Sequence, residues 1–386
     1  MIGVVFGLCA AFVFYVYAAY PIAVVVLSRL RRAETYPDST LPRVTMIIAA
    51  HDEAAVIGAK IAATLELDYP NLEVIVAADG SSDATADIAA GFGDRGVLVA
   101  HLPERRGKSA AISRAAAFAT GEVLVFSDAN NRFAPDALRR LVAPFADPVV
   151  AVVTGRKMTL GDDGLGYSES AYWRYESAIR TAESRIGTCI GVNGEIIAVR
   201  RNDFAPIPED IVNDDAWLAH TAIAAGRGVR FAPDAISSEP VSISTSAEMR
   251  RRSRMVAGQW QTLSRMRGAV PWRRPVVAWM VVSHKVLRPV VPFAMIGALS
   301  AALLALPFPG AGLAGGWRNA ALAAQAAFYL VALISPLIPG RVGRIAYVAR
   351  YLVEANVAAL WGLGRHLRGG QPVTWERVDR QEEAAA

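Results

Sequence analysis

Two cysteines in 386 residues, Cys9 and Cys189, are too few for a disulfide framework. With Cys9 inside an apolar run, a reduced, cytosolic setting is the easier reading for the rest of the chain. No G-x-G-x-x-G follows the first strand-like run, so a nicotinamide-binding Rossmann enzyme fits poorly. No internal repeats are evident. Charge is sparse: Asp, Glu, Lys and Arg make up 19% of the residues against 53% hydrophobic ones, and the mean hydropathy is +0.30. That is too apolar for an ordinary soluble enzyme and predicts membrane segments. The net charge of +5 is a local excess. Arg250, Arg251, Arg252, Arg254, Arg265, Arg267, Arg273 and Arg274 crowd residues 249–275 with only neutral residues between them. No aromatic platform accompanies them, which argues against a nucleic-acid partner, and a basic segment beside apolar helices predicts contact with anionic lipid head groups.

Ile2–Leu27 has no charged residue and is long enough to span a bilayer once. It lacks a basic n-region and a clear small-residue cleavage site, so it reads as an anchor, not a removed signal peptide. Arg29, Arg31 and Arg32 follow at once, which places the amino terminus outside and the following domain in the cytosol. The chain then divides into an anchor (1–28), a linker (29–42), a cytosolic domain (43–248), basic interfacial helices (249–289), a membrane region (290–363) and a cytosolic tail (364–386). Within the membrane region, Val290–Leu306 and Ala320–Ile338 read as spans joined by the Gly/Pro-rich turn Pro307–Gly316. Arg341 and Arg344 fall on the cytosolic side. Ile345–Leu363 carries Arg350 and Glu354 four apart, able to pair on one face, and reads as a surface or bundle-packed helix. The whole is expected to be a multi-pass protein of the inner (plasma) membrane.

Between Arg43 and Pro240, short apolar runs near 44–50, 72–78, 96–101, 122–127 and 149–154 alternate with helical stretches near 54–66, 83–91, 107–119 and 135–146, followed by a longer helix over Gly164–Ile186. The alternation predicts an α/β fold, a mostly parallel sheet with helices on both faces, with transmembrane helices at both ends. Acidic residues end several of the runs: Asp52-Glu53 after the first, Asp79 after the second, Asp128-Ala129-Asn130 after the fourth. The carboxyl ends of neighbouring parallel strands are where open α/β sheets bind ligands. Asp214-Asp215 adds two carboxylates at a helix start. Such a crevice suits a metal-held phosphate ligand and a base.

In this order, His51-Asp52-Glu53, Asp79-Gly80-Ser81-Ser82-Asp83, Asp128-Ala129-Asn130 and Asn213-Asp214-Asp215 resemble the motifs of the family 2 glycosyltransferases, inverting sugar-nucleotide enzymes with a Rossmann-like GT-A fold. The resemblance covers roughly Leu41 to Gln261. It implies a cytosolic catalytic domain that takes a nucleotide diphosphate sugar, UDP-linked by family habit. It also implies a lipid-linked glycan or other glycolipid acceptor, in cell-surface polysaccharide assembly.

A carboxylate at Asp79 can accept hydrogen bonds from uracil or ribose, and the family residues matching Asp79 and Glu53 contact the nucleotide. Asp83 and its neighbours equally suit a turn and helix cap. Asp52 stands where the family usually has Asn. Lys108, at the start of a helix among free backbone N–H groups, is placed to attract phosphate, and the matching family lysine approaches the donor diphosphate. Asp128 and Asn130 occupy the place of the Asp-x-Asp metal motif; hard oxygen ligands suit Mg²⁺ or Mn²⁺ bridging two phosphates. The resemblance assigns Asp215 as the base that takes the acceptor hydroxyl's proton, with Asp214 orienting it or capping the helix. Asn193-Gly194 resembles an acceptor-side segment, although Asn-Gly signals a turn in any fold. Trp173 is able to stack on a sugar or simply pack in a core. Arg254 matches the arginine of the Gln-x-x-Arg-Trp motif of processive synthases and is suited to a diphosphate; the Gln and Trp are replaced, which argues against a polymer channel.

Overall fold

The computed structural model describes residues 1–32, 36, 41–160, 164–240, 245–266, 270–306, 313–369 and 372–374. Residues 33–35 and 37–40 of the linker, residues 307–312 of the expected turn, Arg267 and the tail beyond 374 lie outside the described residues.

Among the described residues, eight strands form one sheet: β1 (Val44–Ala50), β2 (Leu72–Asp79), β3 (Val97–Leu102), β4 (Val123–Asp128), β5 (Arg132–Phe133), β6 (Val150–Leu160), β7 (Ile197–Arg200) and β8 (Gly228–Pro240). Their order is β3-β2-β1-β4-β7-β6-β8-β5. The half containing β3, β2, β1 and β4 is wholly parallel. The other half is mixed: β7 runs antiparallel to both β4 and β6, β6 and β8 are parallel, and β5 is antiparallel to β8. The five strands read from the sequence appear in place. β6 extends six residues further, to Leu160, past an irregularity at Gly155/Arg156.

All seven residues of β1 are buried, because both faces of the sheet are covered. Side-chain alternation divides them. Val44, Met46, Ile48 and Ala50 face a core with Ile57 and Ile61 of helix Ala54–Leu65 and with Leu138 and Leu141. Ile47 and Ala49 face the opposite core, with Ile112, Ile179, Leu218 and Ile223. That second core also contains Tyr20 and Val24 from the amino-terminal helix and Met280 and Val281 from the carboxyl-terminal part.

Among the described residues, three helices are long and apolar enough to cross a membrane: Ile2–Ser28, Pro275–Leu304 and Gly316–Leu337. The second joins what the sequence divides into an interfacial piece and a span. Its helical turns are continuous through a widened segment at Val282–Val286. Helix Gly340–Leu367 buries Gly343, Asn356, Ala358, Ala359 and Gly362. Gly362 is glycine for a reason: a Cβ there would stand 2.7 Å from Val256 of helix Thr245–Arg265. Of the arginines of Thr245–Arg265, Arg251, Arg252 and Arg254 are half-buried, while Arg250 and Arg265 are exposed. Arg251 and Arg252 both pair with Glu248, at 2.8 and 2.6 Å, and Arg265 pairs with Asp210.

Candidate active site

The carboxyl ends of β1, β2 and β4 lie side by side, in registers that pair Ala50 with Ala78 and Ala49 with Asp128. The first two acidic motifs there serve mainly to build the loops. Asp79 is fully buried, and its two carboxylate oxygens accept the backbone N–H groups of Arg106 and Gly107, each at 2.8 Å. It therefore fixes the loop that delivers Lys108, rather than offering free oxygens to a ligand. Gly80 has φ +59°, and a Cβ would lie 2.5 Å from the Arg105 nitrogen, so only glycine fits. Asp52, at φ 53°, occupies the left-handed region, where Asp and Asn are the tolerated side chains. Its carboxylate accepts the Ser82 N–H at 2.7 Å, and that hydrogen bond holds its pKa below the usual range. The Asp for Asn difference thus preserves both conformation and turn. The Glu53 N–H donates to Thr85 Oγ1 at 2.8 Å, and Asp83 takes the Ala54 N–H at 3.0 Å.

Lys108 is the hub. Its ammonium lies 2.7 Å from Asp128 Oδ1 and 3.4 Å from Asp214 Oδ2. Burial disfavours its charge, but Asp128 and Asp214 outweigh that and raise its pKa. One cation so draws together a β4-end carboxylate and a helix-start carboxylate 86 positions apart in the chain (214 − 128 = 86). The 3.4 Å contact is a charge contact, and Asp214 Oδ2 has no directed hydrogen bond. Asp215 follows. Its Oδ1 accepts the Ala216 N–H at 2.7 Å, and burial together with the Asp214 charge raises its pKa, while Lys108 and Lys285 pull it down. Arg254 is half-buried, and the charges of Asp214, Asp128 and Asp215 all act on it; burial nevertheless lowers its pKa.

Asp128 is 37% exposed at its side chain. Among the described residues no group of three or more His, Cys, Asp or Glu side chains is arranged to hold a metal by itself. One carboxylate with the Asn130 carbonyl fits a Mg²⁺ or Mn²⁺ ion that takes its remaining ligands from phosphate and water. Behind them, Lys60 pins the turn, donating to Ser127 Oγ at 2.8 Å and to Asn131 O and Oδ1 at 2.8 and 2.7 Å. Burial lowers its pKa to about 7.

Gly194 backs onto Asp215, whose Cβ would lie 3.3 Å from a Cβ at that position. Asn193 is fully engaged: Nδ2 donates to Gly155 O at 2.8 Å and Oδ1 accepts from Arg180 at 2.6 Å. Trp173 lies under two cations, Lys157 at 5.6 Å and Arg180 at 5.3 Å from its ring centre. Lys157 is itself buried between Glu195, at 2.9 Å, and Glu239. Next to this group, His284 sits between Glu183 (Nδ1, 2.6 Å) and Glu176 (Nε2, 3.2 Å); Tyr20 also donates to Glu183, and Arg288 pairs with Glu176. Sequence reasoning passed over Lys60, Lys157, Arg180, Glu176, Glu183 and Lys285. The only local signal was a run of charged residues on the buried face of Gly164–Ile186.

The sequence profile described as Glycosyl transferase family 2 matches residues 45–204. An N-acetylglucosaminyltransferase of Rhizobium meliloti (strain 1021) is 26% identical over 265 residues, 62% of this chain and 62% of the relative. The probable glycosyltransferase YdaM of Bacillus subtilis (strain 168) is 28% identical over 235 residues, 56% of this chain and 55% of the relative. A beta-monoglucosyldiacylglycerol synthase of Trichormus variabilis is 35% identical over 140 residues, 34% of this chain and 30% of the relative. The chain thus matches less than two thirds of the length of these relatives. Among solved structures, the mannosyltransferase PcManGT from Pyrobaculum calidifontis, in complex with GDP-Man and Mn2+, superposes with a TM-score of 0.69 at 24% identity, over 92% of this chain and 99% of that one. The fold is GT-A.

Proposed function

We propose, from the premise that this chain belongs to glycosyl transferase family 2 through residues 45–204, that it is a membrane-bound inverting glycosyltransferase. It would move a sugar from a nucleotide diphosphate sugar, UDP-linked by preference, to a membrane-associated lipid-linked glycan or glycolipid. The observation that carries this reading is Lys108, bonded at 2.7 Å to Asp128 and lying 3.4 Å from Asp214, which gathers the donor-side and base-side motifs into one site.

In this reading the Lys108 and Arg254 cations receive the donor diphosphate, with Asp79 fixing the loop that presents Lys108. Bound through Asp128 and Asn130, Mg²⁺ or Mn²⁺ would supply further positive charge for the departing nucleotide. Asp215 accepts the proton of the acceptor hydroxyl as its oxygen attacks the anomeric carbon from the face opposite the nucleotide. A carboxylate whose pKa is raised by burial and by Asp214 is better matched to that proton than an ordinary one. The apolar helices Ile2–Ser28, Pro275–Leu304 and Gly316–Leu337 would hold the enzyme in the inner membrane with the site on the cytosolic side, where nucleotide sugars are available.

The test uses detergent-solubilised protein with Mn²⁺, a native lipid extract and a panel of radiolabelled UDP- and GDP-sugars. One donor should deliver label to the organic phase. Asp215→Asn should lower that transfer by about 10²- to 10⁴-fold while still binding the nucleotide. Intact donor throughout, or equal transfer by the variant, overturns the reading.

A further inference from the structure

The four residues that lead into Asp214 and Asp215, the first two of helix Asp214–Ala224, are each held from outside. Asp210 O accepts from Gln261 Nε2 at 2.6 Å, and the Val212 N–H donates to Gln261 Oε1 at 3.1 Å. Between them, Ile211 O accepts from Ser109 Oγ at 2.8 Å. Asn213 Nδ2 donates to Met255 O at 2.8 Å. Gln261 and Met255 belong to helix Thr245–Arg265, whereas Ser109 directly follows Lys108. Residues 210–213 are thus clamped between the start of the Lys108 helix and the basic helix.

The clamp is specific in its chemistry. A backbone N–H must meet the amide oxygen of Gln261 and a carbonyl must meet its nitrogen, so the side chain fits in one orientation. Asn213 stands just before the helix, where an asparagine ordinarily bonds the N–H groups of its own first turn. Among the described residues it makes no such capping bond and reaches across to the Met255 carbonyl instead. It packs so closely on Gly258 that a Cβ there would lie 2.5 Å from Asn213 Oδ1 and 2.7 Å from its Cγ, so any larger residue would push the Asn213 side chain away. Helix Thr245–Arg265 is in turn fastened to the carboxyl-terminal helices. Gln259 Nε2 donates to Lys285 O at 2.5 Å, the Arg252 guanidinium lies 3.8 Å from the centre of the Tyr351 ring, and Gly362 packs against Val256.

We propose that Gln261 is a positioning residue for the base. Through its amide, helix Thr245–Arg265 sets where Asp214 and Asp215 begin, so the base side of the site takes its position from the carboxyl-terminal helices. The inference rests on the transferase reading, to which it adds a residue that acts through Asp215.

The experiment uses the full chain in phosphatidylcholine nanodiscs, as wild type, Gln261→Met, Gln261→Glu and Gly258→Ala. Methionine removes both hydrogen bonds without adding charge; glutamate keeps the shape, but its carboxylate cannot donate to Asp210 O. Transfer rates give kcat, titration gives nucleotide affinity, and hydrogen exchange over residues 210–217 reads the clamp itself. Both Gln261 variants should lower kcat by about 10- to 100-fold, as expected when a reacting group is slightly misplaced, with nucleotide affinity unchanged. Exchange should quicken over 210–217 and stay as in wild type across the strands. Gly258→Ala should lower kcat in the same way, although alanine is the better helix former. A kcat equal to wild type in the Gln261 variants overturns the proposal. So does a loss of kcat matched by an equal loss of nucleotide affinity, or by faster exchange across the whole sheet, since either means general loosening. A wild type that transfers no sugar sinks the transferase reading and the proposal with it, whereas transfer by wild type and variants alike sinks the proposal alone.

Discussion

The parallel half of the sheet and the mixed half do different work with charge. In the parallel half, the motif carboxylates come from the end of a strand or the loop just after it, and they bond to backbone near another motif: Asp79 to Arg106 and Gly107, Asp52 to Ser82. In the mixed half, charges come from remote segments and pair side chain to side chain deep inside. Glu183 is 0% exposed and joins His284, 101 positions away, and Tyr20, 163 positions away. The first arrangement brings Lys108 together with Asp128 and Asp214. The second fastens the apolar helices to the domain. In the proposed reading, the donor side thus rests on local loops, while the cohesion of helices and domain rests on long-range contacts.

The contrast breaks most sharply at Glu183. Glu183→Ala leaves His284, Tyr20 and the Ile190 N–H without their shared buried acceptor. It should cost about 3–5 kcal/mol, the range for removing one member of a buried pair. Thermal unfolding in detergent measures this, and nucleotide affinity should survive in whatever fraction remains folded. A melting temperature equal to wild type would show that the two halves do not differ in this way. Lys108→Met tests the other side. It should weaken nucleotide diphosphate binding by about 10- to 100-fold, measured by titration, with a smaller melting shift than Glu183→Ala. The mildest change is Asp214→Asn. Asp215 must be deprotonated to take a proton, so the rate rises with pH through its pKa. Burial and the Asp214 charge raise that pKa, so the acid limb of the wild-type profile should lie above the ordinary carboxylate range. Removing the Asp214 charge should move the limb to lower pH. A limb that stays put means Asp215 is not the group that sets it.

The same division decides what could be read from the chain alone. The parallel strands announce themselves as apolar runs, three of them closed by acidic residues, so β1 to β4, apart from small shifts at their ends, were legible. Lys108, Asp128 and Asp215 were legible for the same reason, each sitting at an element boundary. Asp79 was legible as a position, but its bonding to the 106–107 backbone was not, because nothing in the sequence tells which loop folds over it. β5 and β7, two and four residues long, are too short to carry a periodic signal, and both are held in place by strands elsewhere in the chain. Arg180 was illegible because its partner Asn193 lies in another element, after the helix that carries it. Residues 276–289 were read as an interfacial piece because His284, Lys285 and Arg288 interrupt the apolar run; folded, His284 and Arg288 are matched by Glu183 and Glu176.

Tyr20 and Val24 share a core with Ile47, Leu124 and Met280, and this bears on how the chain is made. A ribosome releases the first apolar helix long before residue 280 exists. Until then, Ile47 is packed against Ile112, Ile179 and Leu218, but the part of that core filled by Met280 and Val281 stays open. The nascent domain closes it only when the second helix emerges and docks. Translation speed across residues 250–280, and the help of membrane insertion factors at that moment, should govern the yield of folded protein more than the intrinsic strength of the sheet. A version trimmed to the strands and their helices would be left permanently at that unfinished stage.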